Sequence, residues 1–310
     1  MPSGRSDIVV SKRYPTRRSA VKHSGTFRNR AISCSDGSAR LIGRRIRGSE
    51  SKVVAVADLL FEDRRLAEIY DPLEPDRGDL DAYLAIVAEF GARRVLDVGC
   101  GTGTFACLLA SRGVEVTGVD PAEASLEVAR RKPFADKVRW IHGDATGLPP
   151  LQVDLATMTA NVAQVFLTDD DWAATLAGIR TALTPGGRLV FETRDPAREG
   201  WLEWNREQTH TVADLEGVGE VEKWCDLTSV ELPLVSFRNT YVFAADGAVL
   251  TSDSTLRFRS RSEIERSLQS AGFTVDEVRD APDRPGREFV VLASRSLETE
   301  VGGQGAGAGE

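Results

Sequence analysis

The chain has 310 residues, 41% hydrophobic and 28% charged. That is an ordinary globular balance and, at about 100–200 residues per domain, leaves room for one large domain with an insertion. No uncharged run exceeds fourteen residues, the length of Leu155 to Thr168, which includes Thr, Asn and Gln, short of the ~20 apolar residues that cross a membrane as a helix. The four cysteines, Cys34, Cys100, Cys107 and Cys225, form no CxxC pair and the three histidines are scattered. A disulfide framework, a zinc ribbon and a His-based metal site are thereby disfavoured, no metal is expected, and a reducing cytoplasm is the expected location.

The net charge of −8 is unevenly spread: residues 1–52 carry 13 Lys/Arg against 3 Asp/Glu, which leaves the remainder at −18. The leader is rich in Ser, Arg and Gly and has neither helical nor strand period, which predicts a disordered basic extension over 1–52. It fits a transit peptide, a nucleic-acid arm, or a gene start placed upstream of Val53 and Val54, where the globular pattern opens. Residues 297–310, rich in Gly, predict a flexible tail.

Strand and helix patterns alternate in between. Leu80, Leu84 and Val87 recur at helical spacing, and Gly91 stops that helix. A short strand over 94–98 runs into Gly99-Cys100-Gly101-Thr102-Gly103 and an apolar helix through Leu108 and Leu109. Further strands are predicted over 114–119, 138–142, 153–159 and 188–193. Between them lie a helix opened by Pro121 and another striped by Trp172, Leu176, Ile179 and Leu183. Ser262 and Glu265 predict a capping box before a helix through Ile264 and Leu268, and two strands over 273–278 and 288–294 close the pattern. Such alternation predicts an α/β fold with a doubly wound, mostly parallel sheet.

In an open α/β sheet, ligands bind beyond the carboxyl ends of the strands, and a glycine-rich turn brings backbone N–H groups close to them. The loop reads Asp97-x-Gly99-x-Gly101-x-Gly103; it departs from GxGxxG because residue 104 is Thr and the third glycine comes one residue early. Asp97 puts negative charge where a pyrophosphate is unwelcome and an ammonium or sulfonium is tolerated. Asp120 ends the second strand, 23 residues on, where a carboxylate accepts both hydroxyl protons of a ribose. Asp144 follows the third strand, placed to accept from an adenine amino group. Three acids at three successive strand ends point to one ligand site.

These residues resemble the class I S-adenosylmethionine-dependent methyltransferases. The matching blocks are VLDVGCGTG at 95–103, VTGVDP at 116–121, HGDATGLP at 142–149 and LTPGGRLVFET at 183–193, and the likeness runs over roughly residues 66–294. The resemblance implies a seven-stranded Rossmann-like sheet whose last strand is antiparallel, and S-adenosyl-L-methionine as cofactor. It implies that Asp97, Gly99, Gly101 and Gly103 hold the methionine end, Asp120 the ribose and Asp144 the adenine. Tyr70 and Asn161 fall at positions that border the cofactor or the acceptor. The reaction expected is methyl transfer to a small-molecule acceptor by in-line displacement.

Other partners are disfavoured. The Asn/Asp-Pro-Pro-aromatic block of adenine- and glutamine-methylating enzymes is absent at Thr159-Ala160-Asn161-Val162, and neither Cys100 nor Cys107 follows a Pro as in cytosine C5 enzymes. The acidic domain opposes phosphate binding, so no nucleic-acid partner is expected, and the protein is read as a monomer or homodimer. Two other classes stay open: an NAD(P)-dependent oxidoreductase, in which Asp120 would serve equally well, and a non-catalytic S-adenosylmethionine-binding protein.

A general base is needed only for a hydroxyl or a protonated amine. Glu192, Asp195 and His210 are candidates, and no catalytic residue is assigned. The loop after the fifth strand places Arg194 beside the cofactor, with Trp201 and Trp204 following as an aromatic wall. The Rossmann-like domain is read as 53–199 and 260–296, and residues 200–259 as an inserted antiparallel β lid. Asp246-Gly247 signals a two-residue hairpin turn that pairs Ala245 with Ala248, Tyr241 with Ser252 and Asn239 with Ser254. Asn239 and Tyr241 then lie in a polar centre within apolar surroundings, the build of a small-ligand wall. A core-packing sheet or a dimer surface is the structural alternative.

Overall fold

The computed structural model describes residues 57–296; the basic extension over 1–52 and the tail over 297–310 lie outside the described residues. Two short helices come first, α1 (Leu59–Glu62) and α2 (Arg64–Leu73), ahead of the expected helix, α3 (Leu80–Glu89). The sequence pattern passes over α2 because Pro72 near its end reads as a breaker. Tertiary burial of Leu66, Ala67 and Ile69 holds it.

The alternating core follows as β1 (Arg94–Val98), α4 (Thr104–Ser111), β2 (Glu115–Asp120), α5 (Glu123–Ala129), β3 (Val138–His142), β4 (Val153–Met158), α6 (Asp169–Ala182) and β5 (Leu183–Arg194). After α7 (Arg206–Thr209) come β6 (Thr211–Leu215), β7 (Gly219–Glu231), β8 (Leu234–Phe243) and β9 (Val249–Arg257), then α8 (Arg261–Ser270), β10 (Phe273–Asp280) and β11 (Glu288–Arg295). The main sheet is seven-stranded, in the order β10-β11-β5-β4-β1-β2-β3. Its pairs are parallel except those of β11, which runs antiparallel to β5 and β10. β1 pairs with both β2 and β4, so connections leave it in opposite directions. That switch point opens a crevice at the carboxyl ends of β1 and β4.

Side chains alternate along each strand, so the two faces build two cores. Leu96, Val98, Met158 and Phe191 meet Trp172, Leu176 and Ile179 of α6 and Ile264 and Leu268 of α8. Val95, Leu155 and Val190 meet Leu80, Tyr83 and Val87 of α3 and Phe105 and Leu109 of α4. The capping box of α8 is formed by Ser260 with Glu263, two residues before the expected Ser262 and Glu265.

The insertion is a separate four-stranded antiparallel sheet, ordered β6-β7-β8-β9. Its β8–β9 hairpin corrects the expected register. Phe243 N–H donates to the Ala248 carbonyl, and Tyr241 pairs with Leu250 and Asn239 with Ser252, so the loop holds residues 244–247. The physical reason is a wider turn: Gly247 N–H donates back to the Phe243 carbonyl, Gly247 sits at φ +70°, and Asp246 Oδ1 accepts from Ala248 N–H at 3.0 Å. A shift of two residues preserves the side-chain alternation, so the expected face survives. Tyr241 and Phe243 on that face pack with Leu66 and Ile69 of α2, and Ser252 Oγ accepts from Leu60 N–H at 2.9 Å.

Candidate active site

The crevice begins where β1 ends. Gly99 N–H and Cys100 N–H both donate to the Val119 carbonyl, at 2.8 and 3.2 Å, which ties the loop to the end of β2. The turn into α4 is left-handed at Gly101 (φ +51°) and Gly103 (φ +77°), a conformation costly for residues with a Cβ. The two serve different ends. A Cβ at Gly103 would fall 2.5 Å from the Trp140 ring, whereas a Cβ at Gly101 would meet nothing within 4 Å. Gly103 is thus required by packing, and Gly101 leaves bare backbone facing open space.

Two acids lie against this loop. Asp120 Oδ2 accepts from Gly101 N–H and Oδ1 from Ala122 N–H, each at 2.8 Å, and burial raises its carboxyl while those two N–H groups oppose the rise. Asp97 is deeper. Burial pushes its carboxyl up to about 7, against the Thr157 hydroxyl that lowers it and the nearby Asp120 that raises it further. Thr157 Oγ1 donates to it at 3.0 Å, and no cation of the described residues forms an ion pair with it. At the end of β3, half-buried Asp144 accepts from Thr146 N–H at 2.8 Å and from Thr146 Oγ1 at 2.5 Å.

These groups suit S-adenosyl-L-methionine. A buried carboxylate without a cation beside bare glycine backbone matches a ligand end that carries ammonium and sulfonium charge. Further acids stand at the ends of β2 and β3, where ribose and adenine would follow.

Two supporting residues escaped the sequence reading. Asp71 of α2 accepts through Oδ1 from the hydroxyls of Thr102 and Thr104, at 2.9 and 3.0 Å, and through Oδ2 from Lys132 Nζ at 2.6 Å. α2 is thereby clamped to the glycine loop. Gly178 lets α6 reach the Asp144 turn; a Cβ there would lie 2.0 Å from the Ala145 carbonyl oxygen. A glycine inside an otherwise regular helix was the available signal.

A cavity of about 540 Å³ adjoins the crevice, lined among others by Tyr70, Asn161, Glu192, Arg194 and Arg284. Ala160 and Asn161 follow β4 with φ of +54° and +62°, a strained exit of the kind that collects at ligand sites. Burial and the nearby Glu74 push the Tyr70 hydroxyl up to about 12, so it stays neutral. Glu192 accepts from the Tyr83 hydroxyl and, at 3.1 Å, from Asn161 N–H.

The remaining expected residues lie elsewhere. Trp204 packs edge-on against Phe237, with ring centroids 4.7 Å apart, and Arg194 stands between it and the cavity, its guanidinium carbon 5.6 Å from the Trp204 ring centre. Trp201 is buried against Phe258. Tyr241 is buried against α2, and Asn239 pairs with Ser252 in the middle of the four-stranded sheet. None of these four lines the cavity: Trp201 and Trp204 pack on Phe258 and Phe237, and the face of the four-stranded sheet that carries Tyr241 lies against α2. Of the base candidates, Glu192 alone reaches it. Asp195 caps the following turn at Ala197 N–H, 3.0 Å away, and His210 pairs with Glu222 at 2.8 Å on the surface.

Comparison with known proteins agrees with this geometry. The family model described as a methyltransferase domain matches residues 95–187. The cypemycin N-terminal methyltransferase of a Streptomyces species is 33% identical over 46% of this chain and 60% of its own length. The demethylmenaquinone methyltransferase of Deinococcus radiodurans is 38% identical over 40% of this chain and 53% of its own. The chain thus spans little more than half the length of these curated relatives. Among solved structures, the CcbJ methyltransferase of Streptomyces caelestis covers 75% of this chain and 96% of its own, with a TM-score of 0.63 and 24% identity. An S-adenosylmethionine-dependent methyltransferase from Clostridium acetobutylicum covers 75% and 98%, with a TM-score of 0.61 and 18% identity. The fold is the Rossmann-like fold of these solved methyltransferases, and the stretch over residues 95–187 matches a methyltransferase domain.

Proposed function

We propose that this protein is an enzyme that transfers a methyl group from S-adenosyl-L-methionine to a small-molecule acceptor held in the cavity beside the glycine loop. One observation carries the reading: a buried carboxylate with no cationic partner among the described residues, Asp97, stands beside bare glycine backbone at the switch point of the sheet. Asp97, Gly99, Gly101 and Gly103 hold the methionine end, Asp120 the ribose and Asp144 the adenine, with Tyr70 and Asn161 at the border with the acceptor.

The bound cofactor supplies a methyl group already activated by its sulfonium, so the protein's task is alignment, worth ~7–11 kcal/mol. Asp120 braces Gly101 and Ala122 through their N–H groups. Asp71 holds α2, and with it Tyr70, over the loop. Arg194 borders the acceptor directly, with Trp204 packed behind it. Tyr241 acts from the lid through its packing on α2, with Asn239 two residues along the same face, which makes residues 200–259 a support for the acceptor side.

The absence, among the described residues, of a helix long and apolar enough to cross a membrane is compatible with action in the cytoplasm. The acidic domain supports a small acceptor over nucleic acid, for a monomer or homodimer. Titration with S-adenosylhomocysteine and with NAD, followed by a labelled-methyl assay on a metabolite panel, tests the reading. Saturable binding of the former alone, with transfer, supports it; NAD binding in its place refutes it.

A further inference from the structure

We infer that the acceptor enters the cavity as a protonated amine, its ammonium seated between Glu192 and Asn161. This rests on the methyl-transfer reading above and names its substrate class.

The carboxylates around the cavity differ in how their charge is met. Glu288, behind the wall, pairs with Arg284 at 2.7 Å and Arg194 at 3.5 Å, Asp79 pairs with Arg77 at 3.1 Å, and Glu74 pairs with Lys223 at 2.7 Å. Glu192 lines the cavity, is 7% exposed, and forms no ion pair with any described residue. Its partners are neutral donors, the Tyr83 hydroxyl and Asn161 N–H. They fix the carboxylate in place without neutralising it.

Asn161 supplies an independent observation. The residue is 3% exposed, and Oδ1 is buried with no hydrogen-bond partner among the described residues. The amide orientation is dictated by chemistry: Nδ2 faces both Glu288 oxygens at 3.4 Å, and an ionised carboxylate only accepts. Oδ1 is therefore left needing a donor, which a buried polar atom does not lack without cost. A carboxylate with no ion pair among the described residues, reached by Arg284 and Arg194 only through longer-range charge, beside an unmet carbonyl oxygen calls for a ligand group with several N–H donors and positive charge. An ammonium has both, whereas a hydroxyl has one donor and no charge.

The chemistry balances. The ammonium gives one proton to Glu192, whose carboxyl burial raises above its ordinary range, and Tyr83 orients that carboxylate. The freed nitrogen lone pair forms the new N–C bond to the methyl carbon as the C–S bond breaks, its electron pair going to sulfur. The products are the methylammonium, the thioether, and a proton released from Glu192 to water. Tyr83 from α3, Asn161 after β4, Arg194 on β5, and Arg284, Asp283 and Glu288 around the start of β11 are the polar and charged groups around Glu192.

The test is calorimetric titration of the full chain, with and without S-adenosylhomocysteine, using matched pairs: benzylamine against benzyl alcohol, and glucosamine against glucose. The amines are expected to bind and the alcohols to bind at least about tenfold more weakly, the scale of a lost charged hydrogen bond. Glu192→Gln, which keeps the shape and an oxygen for Asn161 N–H while its amide N–H turns to donate to the Tyr83 oxygen, should weaken amine binding about tenfold and leave S-adenosylhomocysteine affinity within about twofold. Tyr83→Phe, as a second variant, should weaken amine binding less. Wild-type amine affinity should fall as pH drops and Glu192 takes up its proton, and Glu192→Gln should lose that dependence. Equal binding of alcohols, no binding of either amine, or parallel loss of S-adenosylhomocysteine affinity in Glu192→Gln would overturn the inference. A wild-type chain that fails to bind S-adenosylhomocysteine brings down the methyl-transfer reading and this inference with it. One that binds it but neither amine removes the ammonium assignment alone.

Discussion

Asp97 gives the sharpest test of how the site is built, because the same carboxylate that suits a cationic ligand costs the folded chain stability. Its carboxyl is pushed up from 3.8 to about 7 by burial. Between those two pH values the folded state binds more protons than the unfolded one, so this group's contribution to stability falls as pH rises from about 4 to about 7. Above that window the full cost is about 4 kcal/mol, at 1.36 kcal/mol per pH unit. Asp97→Asn removes the charge while keeping an oxygen for Thr157 Oγ1, and introduces an amide N–H pair whose burial costs about 1–3 kcal/mol. The variant should therefore be more stable than wild type by about 1–3 kcal/mol near pH 8, and no more stable near pH 4. Denaturant unfolding at the two pH values measures this. The same variant should bind S-adenosylmethionine at least about tenfold more weakly near pH 8. Wild-type affinity should fall about tenfold per pH unit below about 7, a dependence the variant loses. Equal destabilisation of the variant at both pH values, with ligand affinity unchanged, would make Asp97 a structural hydrogen-bonding residue and refute the reasoning.

Three further outcomes follow from the surrounding contacts. Gly101→Ala should cost only about 1–2 kcal/mol of stability for its left-handed backbone yet weaken S-adenosylhomocysteine binding, whereas Gly103→Ala should lose more stability because its Cβ meets Trp140; paired unfolding and titration experiments separate the two. Asp120→Ala leaves the N–H groups of Gly101 and Ala122 without their acceptor, and should lose about 1–3 kcal/mol of stability as well as ligand affinity, read by the same methods. Asp71→Ala should speed S-adenosylhomocysteine dissociation in stopped flow by releasing α2 from Thr102 and Thr104; an unchanged off-rate would remove the clamp from the account.

The glycine loop and the strand-end acids were legible in the sequence because each lies next to the strand that places it. The alternating order of strands and helices then fixes which ends meet. The acceptor side was not legible in the same way. Tyr83 and Glu192 are 109 residues apart, and Asn161 and Glu288 are 127 apart; only the sheet order brings β4, β5 and β11 side by side. Glu192 was one of three base candidates, and nothing local distinguished it from Asp195 or His210. Two local readings slipped by two residues. The sequence offers overlapping capping frames, Ser260 with Glu263 and Ser262 with Glu265, and the fold uses the first. Asp246-Gly247 marks the hairpin turn correctly, but Asp246 caps Ala248 N–H from within a four-residue loop instead of forming half of a two-residue one. Tyr241 and Asn239 followed the expected face, yet that face looks toward α1 and α2, of which α2 was hidden from the pattern by Pro72.

The measurement that bears most directly on the central claim is calorimetric titration of the full chain with S-adenosylmethionine and, separately, with NAD, on wild type and Asp97→Asn. The account predicts saturable one-to-one binding of S-adenosylmethionine to wild type, at least about tenfold weaker binding to Asp97→Asn, and no binding of NAD. Binding of NAD in place of S-adenosylmethionine, or S-adenosylmethionine binding that ignores the loss of the Asp97 charge, would contradict it.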